Sequence, residues 1–281
     1  MKVCVGAIVW RQYEPEHVQC LVKLLREPEV SYLPVVGDAL VERARSIVAT
    51  WFLDNSEADV LLTIDSDIWF VPDDALLVAE QAMSHDIVSA VYATRSTSRA
   101  IPTTPIGREN VNFGIDPTPV PVRWAASGFM AIHRRVLEKL AKRPDMAKCH
   151  DKEDWGFHPF YHTLIVPGDA EDGERNLLSE DYAFCERARE EGFGIYINPA
   201  VRLGHVGSYI YRLEDMITPH SEPRPLVMRR NGQGQYQIFF RADSQPPTQG
   251  RRITPDYTSL PNRAQRRADI ASVSAIKNAK G

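Results

Sequence analysis

The chain has 281 residues, of which 43% are hydrophobic and 25% charged, proportions of a globular protein long enough for an ample core. They exclude a disordered chain, and no apolar stretch reaches the ~20 residues that cross a bilayer. The formal net charge of −4 is unevenly spread: from Glu222 onward eleven Lys and Arg face four Asp and Glu, so an acidic body carries a basic tail.

The first half alternates strand and helix. Val3 to Trp10 reads as a buried strand, and Glu16 to Arg26 as a helix with Val18, Leu21, Val22 and Leu25 on one face. Glu29 to Val36 is a second strand, closed by Gly37-Asp38. Ala39 to Leu53 is a helix with Leu40, Ala44, Ile47, Val48 and Trp51 as its apolar stripe. Val60 to Ile64 is a short, continuously apolar strand; Pro72 then suits the start of a helix over Asp73 to Met83, and Asp86 to Ala93 is another strand. This alternation predicts an α/β fold with a mostly parallel sheet and helices on both faces.

Beyond Thr94 the texture changes. Arg95 to Pro121 is rich in Pro, Thr and Gly and reads as a loop with a short strand near Val111 to Phe113. Val122 to Ala126 leads into Ser127-Gly128-Phe129-Met130-Ala131-Ile132, followed by a helix over Arg134 to Ala141. Arg143 to Asp172 is an irregular excursion. Ser179 to Glu191 is a helix ended by Gly192, and Gly194 to Pro199 a short strand. Residues 1–218 are expected to form one domain with halves at 1–95 and 96–218. Residues 219–281 form a basic extension with a strand over Gln235 to Arg241, a linker over Ala242 to Asn262 and a short helix over Ala264 to Lys280.

The four cysteines, Cys4, Cys20, Cys149 and Cys185, lack paired spacing. Cys149 with His150, His158 and His162 hints at zinc, but no Cys-x-x-Cys pair supports it. The N-terminus runs straight into a strand without the apolar core of a signal peptide. A soluble, cytoplasmic protein without a transmembrane segment is the expectation.

Chemistry concentrates at Asp65-Ser66-Asp67. If the extended backbone continues through Ser66, both carboxylates project to one side, where they repel unless a cation or proton intervenes. Oxygen ligands of this kind suit Mg2+ or Mn2+ with substrate phosphates, and strand C-termini of open α/β sheets are where ligands bind. The same residues also suit a plain turn before the next helix. Glu180-Asp181 at a helix start is favoured by the helix dipole without any catalysis.

Taken in order, Leu62-Thr63-Ile64-Asp65-Ser66-Asp67-Ile68, Ser127-Gly128-Phe129-Met130-Ala131-Ile132-His133-Arg134, Ser179-Glu180-Asp181-Tyr182-Ala183-Phe184-Cys185 and Gly204-His205-Val206-Gly207 resemble the GT-A superfamily of nucleotide-sugar glycosyltransferases, particularly its large inverting family typified by polysaccharide synthases. The resemblance covers about residues 1–210. It implies a GT-A fold and transfer of a sugar from a UDP- or GDP-sugar to a hydroxyl acceptor. It further implies Mn2+ or Mg2+ held by Asp65, Asp67 and His205, with Asp181 as general base and Glu180 orienting the acceptor or supporting the ion.

On this reading, Ile8, Val9 and Trp10 face the donor base, Asp38 accepts from base or ribose, and Arg45 serves the diphosphate or pairs with Asp65 or Asp67. Asp65, Ser66 and Asp67 complete the donor site. Gly128 and Phe129 lie on the acceptor side, where Gly128 is equally well a packing glycine, and Trp124 and Trp155 are candidates to stack on sugars. Arg95, Arg99 and Arg108 lie in a loop that suits closure over phosphate and equally well a plain solvated loop, and Arg43 is read as a solvated side chain. The basic extension is read as an arm for oligomerisation or for docking a macromolecular acceptor.

Three alternatives remain at this level. A haloacid-dehalogenase-type phosphatase also carries Asp-x-Asp after a strand, but wants Thr or Val where this chain has Trp69. A nucleotidyltransferase shares the fold but needs a Gly-rich phosphate loop not found near the N-terminus. The third is a non-catalytic carbohydrate- or nucleotide-binding or structural protein on the same scaffold.

Overall fold

The computed structural model describes residues 1–95, 101–106, 110–168, 175–207, 226–230 and 236–240. Its first part follows the expected alternation: β1 (Val3–Val9), α1 (Pro15–Leu24), β2 (Val30–Val36), α2 (Val41–Asn55), β3 (Val60–Asp65), a two-residue β4 (Ile68–Trp69), α3 (Pro72–His85) and β5 (Ile87–Ala90). Then come β6 (Thr103–Pro105), β7 (Asn110–Phe113), β8 (Val120–Ala125), β9 (Phe129–His133) and α4 (Arg134–Leu140). The chain continues through β10 (Leu164–Pro167), β11 (Arg175–Leu178), α5 (Glu180–Glu190), β12 (Ile195–Asn198), β13 (Gly204–His205), β14 (Leu226–Arg230) and β15 (Tyr236–Phe240). Pro15 and Pro72 open α1 and α3 at positions where the missing N–H costs nothing, and Gly192 just after α5 takes a φ of +89°.

Eight strands form the central sheet in the order β2-β1-β3-β9-β5-β12-β8-β6. β1 is parallel to β2 and β3, and β5 to β12; β9 and β8 run against all their neighbours. The sheet is therefore mainly parallel with two reversed strands, a detail that periodicity in sequence does not carry. The reversal of β9 matters for the site. Ile64, next to the end of β3, pairs with Phe129 at the start of β9, so Ser127-Gly128 arrives at the carboxyl edge beside Asp65.

Both faces of the sheet are covered, which is why β3 reads as an unbroken apolar run rather than an alternating one. On one face Leu61, Met130, Ile132, Ile87 and Ile197 pack under α2, α4 and α5 through Val48, Phe52, Leu137 and Phe184. On the other, Val60, Leu62, Ile64, Val88 and Ala131 pack under α1 and α3 through Leu21, Leu24, Ala75 and Val78. Arg134 ties the layers together. Its guanidinium donates to the carbonyls of Phe52, Ser56 and Ala58 at the C-terminal end of α2, where a cation is favoured.

Three features depart from expectation. The β4–β13 bridge pairs residues too few to show a pattern. The β10–β11 hairpin lies where an irregular excursion was expected up to Asp172; Ile165 and Leu177, partners across it, are both exposed, so no buried face marked it in sequence. Residues 226–240 are part of the first compact unit, which runs from Met1 to Phe240: β14 pairs with β7 and β15, and Met228 joins the core. The expected linker over 242–262 and helix over 264–280 lie outside the described residues. No helix among the described residues is long and apolar enough to cross a membrane.

Gly6 in β1 sets how closely α2 lies on the sheet. A Cβ there would strike Val48 Cγ1 of α2 and stand 3.0 Å from Leu61 Cδ1. Val48 is β-branched and has little rotamer freedom with which to yield. Gly6→Ala is expected to lower unfolding stability in urea by about 1–3 kcal/mol, the usual range for overpacking.

Candidate active site

Asp65 ends β3, but Ser66 and Asp67 form a turn before β4, so the extended backbone needed to point both carboxylates one way does not continue. The two carboxylates instead face different partners. Asp65 Oδ2 accepts a hydrogen bond of 2.9 Å from Arg45 in α2, and its N–H donates to the Gly128 carbonyl. Asp67 Oδ2 lies 2.9 Å from the Arg95 guanidinium and 3.5 Å from His205 Nε2.

Arg45 is the hub. It is 5% exposed, bonds Asp65 and the Ser127 carbonyl, and places Nε 3.7 Å from Glu180 Oε1. That last distance is an ion pair and too long for a hydrogen bond. Burial works against the charge of Arg45, but Asp65 and then Glu180 outweigh it and raise the guanidinium pKa above its ordinary value. Glu180, at the start of α5, is shifted upward by its own burial and by Asp181, with Arg45 opposing. For Asp67, burial pushes upward, while His205 and Arg95 pull harder and leave the carboxyl below its ordinary range.

Asp181 Oδ1 is occupied by the Ser179 hydroxyl and, at 2.9 Å, by the Tyr182 N–H. The Tyr92 phenol is raised by burial, then by Asp65, Asp181 and Asp67, with Arg45 opposing. Tyr161, delivered by the excursion before β10, stacks on Phe184 of α5 at 4.5 Å. Burial raises its phenol, with the charge of Arg45 and the Ser127 hydroxyl opposing. Neither tyrosine stood out in sequence: Tyr92 reads as one more apolar residue of the strand Asp86 to Ala93, and Tyr161 lies in an irregular stretch that carries no pattern of its own.

His205 reaches the site through the β4–β13 bridge, where it pairs with Ile68, and the Val206 N–H donates to the Asp67 carbonyl at 2.7 Å. Its Nδ1 is 3.1 Å from the Ala93 carbonyl, which can only accept, so Nδ1 carries a proton; Nε2 faces Asp67, donating to it when the ring is protonated and free to ligate an ion when the ring is neutral. One carboxylate and one imidazole nitrogen, the ring held in place by the Ala93 carbonyl, are a donor pair that suits a divalent ion such as Mn2+ or Mg2+. Among the described residues no three carboxylate, His or Cys side chains are grouped tightly enough to enclose an ion unaided. Asp67 and His205 form a pair, and Asp65, drawn to Arg45, stands apart from it.

The remaining expected site residues divide. Trp10 is 48% exposed at the end of β1, Ile8 is partly buried against the core, and Val9 is fully core, so of those three Val9 is closed to a ligand and Trp10 is the most open. Asp38 is gripped by Arg43 at 2.7 and 2.8 Å and by the Leu40 N–H; the Arg43 hydrogen bonds hold its carboxyl below the usual range, and Arg43 makes this pair while its side chain stays solvent-exposed. Phe129 is fully buried and packs on Phe70 at 5.6 Å, so it is core and faces no acceptor.

A Cβ at Gly128 would collide with the Tyr92 hydroxyl and the Asp65 carboxylate, so protein atoms already require this glycine. Trp124 donates to Glu186 Oε2 at 2.7 Å, stacks on Tyr182 and lies under the Arg123 guanidinium, beside Asp181 on α5. Trp155 stacks on His150 within the excursion. Arg95 is at Asp67; Arg99 and Arg108 lie outside the described residues.

No protein-family model matches the chain, and no curated protein matches it by sequence. Among solved structures it is similar to A197 from STIV, at 16% identity and a TM-score of 0.49, over 89% of this chain and 99% of that one. It is also similar to GalNAc-T7 solved with UDP, GalNAc and Mn2+, at 15% identity and a TM-score of 0.40, over 76% of this chain and 44% of that one. A third is S. aureus TarS 1-349, at 11% identity and a TM-score of 0.35, over 71% and 58%.

Arg45→Met keeps the bulk of Arg45 and removes its charge, leaving Asp65 and Glu180 without their cation. Unfolding stability at pH 7.5 is expected to fall by about 3–5 kcal/mol. Glu180, already above its ordinary value, loses the opposing pull of Arg45 and is raised further, so the loss shrinks as pH falls through that raised pKa. Urea unfolding at pH 7.5 and pH 5 checks both size and sign.

Proposed function

We propose that this chain is a metal-dependent glycosyltransferase moving a sugar from a nucleoside-diphosphate donor, UDP or GDP, to a hydroxyl acceptor with inversion. The observation that carries the reading is the convergence at one sheet edge of Asp65 and Asp67 from the end of β3, Glu180 and Asp181 from α5, and His205 from β13. Arg45 and Arg95 lie among them. Carboxylates so concentrated, with cations interleaved, suit a reaction that develops charge on a departing diphosphate.

Asp67 and His205 would hold Mn2+ or Mg2+, whose charge would neutralise the leaving diphosphate. Arg95, already on Asp67, is placed to turn its guanidinium to a phosphate oxygen. Trp10, exposed at the end of β1, is the surface for the donor base, with the Asp38–Arg43 pair beyond the end of β2. Asp181 takes the proton of the acceptor hydroxyl as that oxygen bonds to the anomeric carbon. The carbon–oxygen bond to the diphosphate breaks, and its electron pair leaves with the phosphate. Asp181 Oδ1 is fixed by Ser179 and Tyr182, which leaves Oδ2 for this proton. Glu180, held by Arg45, supports the acceptor side, and the Trp124–Tyr182 stack offers an aromatic surface next to the base. A macromolecular acceptor would have a use for the basic extension as a docking arm.

Calorimetric titration of UDP and GDP, with and without Mn2+, is expected to give Mn2+-dependent binding of one nucleotide that is lost in Asp67→Ala; no binding of either contradicts the reading. Asp181→Asn is expected to keep nucleotide binding and lower transfer by about 10²–10⁴-fold, the contribution of a general base. Deleting residues 243–281 is expected to weaken acceptor affinity or self-association, measured by acceptor KM and sedimentation, without changing nucleotide affinity.

A further inference from the structure

Three successive carbonyls of the turn bearing Asp67 are each taken by a donor from outside the turn. The Glu14 N–H donates to the Ser66 carbonyl at 3.0 Å, and the Val206 N–H to the Asp67 carbonyl at 2.7 Å. His17 Nδ1, from α1, lies 3.0 Å from the Ile68 carbonyl and must carry the proton, since a carbonyl only accepts. Two of these donors are backbone amides, which almost any residue would supply. His17 is the side chain of the three.

Its surroundings make an imidazole an odd choice for packing alone. His17 is fully buried against Tyr13, stacked at 5.8 Å, and Phe70, edge-on at 5.9 Å. Its Nε2 has no hydrogen-bond partner among the described residues, a desolvation cost that a phenyl ring in the same place would not carry. What the imidazole adds is one hydrogen bond, and its target is well placed. Ile68 follows Asp67 directly and is the cross-strand partner of His205 in the β4–β13 bridge. Fixing the Ile68 carbonyl therefore fixes the backbone that joins both presumed ligands.

We propose that His17 is a positioning residue for a divalent-cation site at Asp67 and His205: its Nδ1–H bond to Ile68 sets the spacing of the two ligands and hence affinity for the ion. The inference rests on the metal-site reading above. Hydrogen bonds one step removed from a metal commonly govern affinity in this way without touching the ion.

The test titrates Mn2+ alone into the full chain, follows the paramagnetic resonance of the free ion, and measures urea unfolding of every variant. His17→Phe keeps the ring and removes the donor; His17→Asn puts an amide N–H near the Nδ1 position and leaves a gap in the aromatic wall. His17→Phe is expected to be the more stable of the two yet to bind Mn2+ about 10–100-fold more weakly than wild type, while His17→Asn, though less stable, stays within about threefold. Affinity is thus expected to run opposite to stability. His17→Phe binding like wild type overturns the proposal, as does His17→Asn binding more than about tenfold more weakly than wild type. If wild type binds no Mn2+, or Asp67→Ala binds as wild type does, the metal-site reading itself fails and this inference with it.

Discussion

A buried guanidinium between two carboxylates is the constraint on which the rest depends. Arg45 rises from α2 beneath the sheet edge and is almost wholly removed from water, so its charge must be answered by protein. Asp65 from the first half of the chain and Glu180 from the second provide the answer. The glycine contact between β1 and α2 sets the height of that helix, and reversed β9 brings the Ser127 carbonyl to the same cation. One electrostatic requirement thereby holds the end of β3 against the start of α5, the two places where the chemistry is proposed to occur.

The same requirement separates the two carboxylates of Asp65-Ser66-Asp67. Asp65 is committed to Arg45, while Asp67 is committed to His205 and Arg95. A pair of aspartates that would repel in one plane is thus divided between two separate sets of cationic partners. The turn that divides them is held from behind by α1 and from the side by β13, so the position of Asp67 is set by backbone as well as by charge.

Much of this was legible in the residues. The alternation through β5, the helix boundaries marked by Pro72 and Gly192, and the apolar double-sided run of β3 all follow from periodicity and local backbone preference. The carboxylate motifs and His205 stood out by residue type and order, and Arg45 by its place on the helix after β2. What stayed hidden depends on tertiary direction. Nothing in Phe129–His133 says that this strand runs antiparallel, yet that reversal makes Gly128 a packing glycine under Tyr92 and turns Phe129 into core. Tyr161 was hidden for the same reason: its place against Phe184 and Arg45 is decided by the path of an aperiodic excursion. Ser66 turned the chain where an extended reading would have kept both aspartates on one side.

The central claim is that Asp67 and His205 together bind the cation of a nucleoside-diphosphate site. Anomalous diffraction at the manganese edge, from crystals grown with Mn2+ and either UDP or GDP, tests it most directly. The account predicts a single strong peak in direct coordination distance of an Asp67 oxygen and His205 Nε2, with diphosphate oxygens completing the shell and Asp65 still on Arg45. A nucleotide bound at the sheet edge without that peak, or manganese seated elsewhere in the molecule, would contradict it.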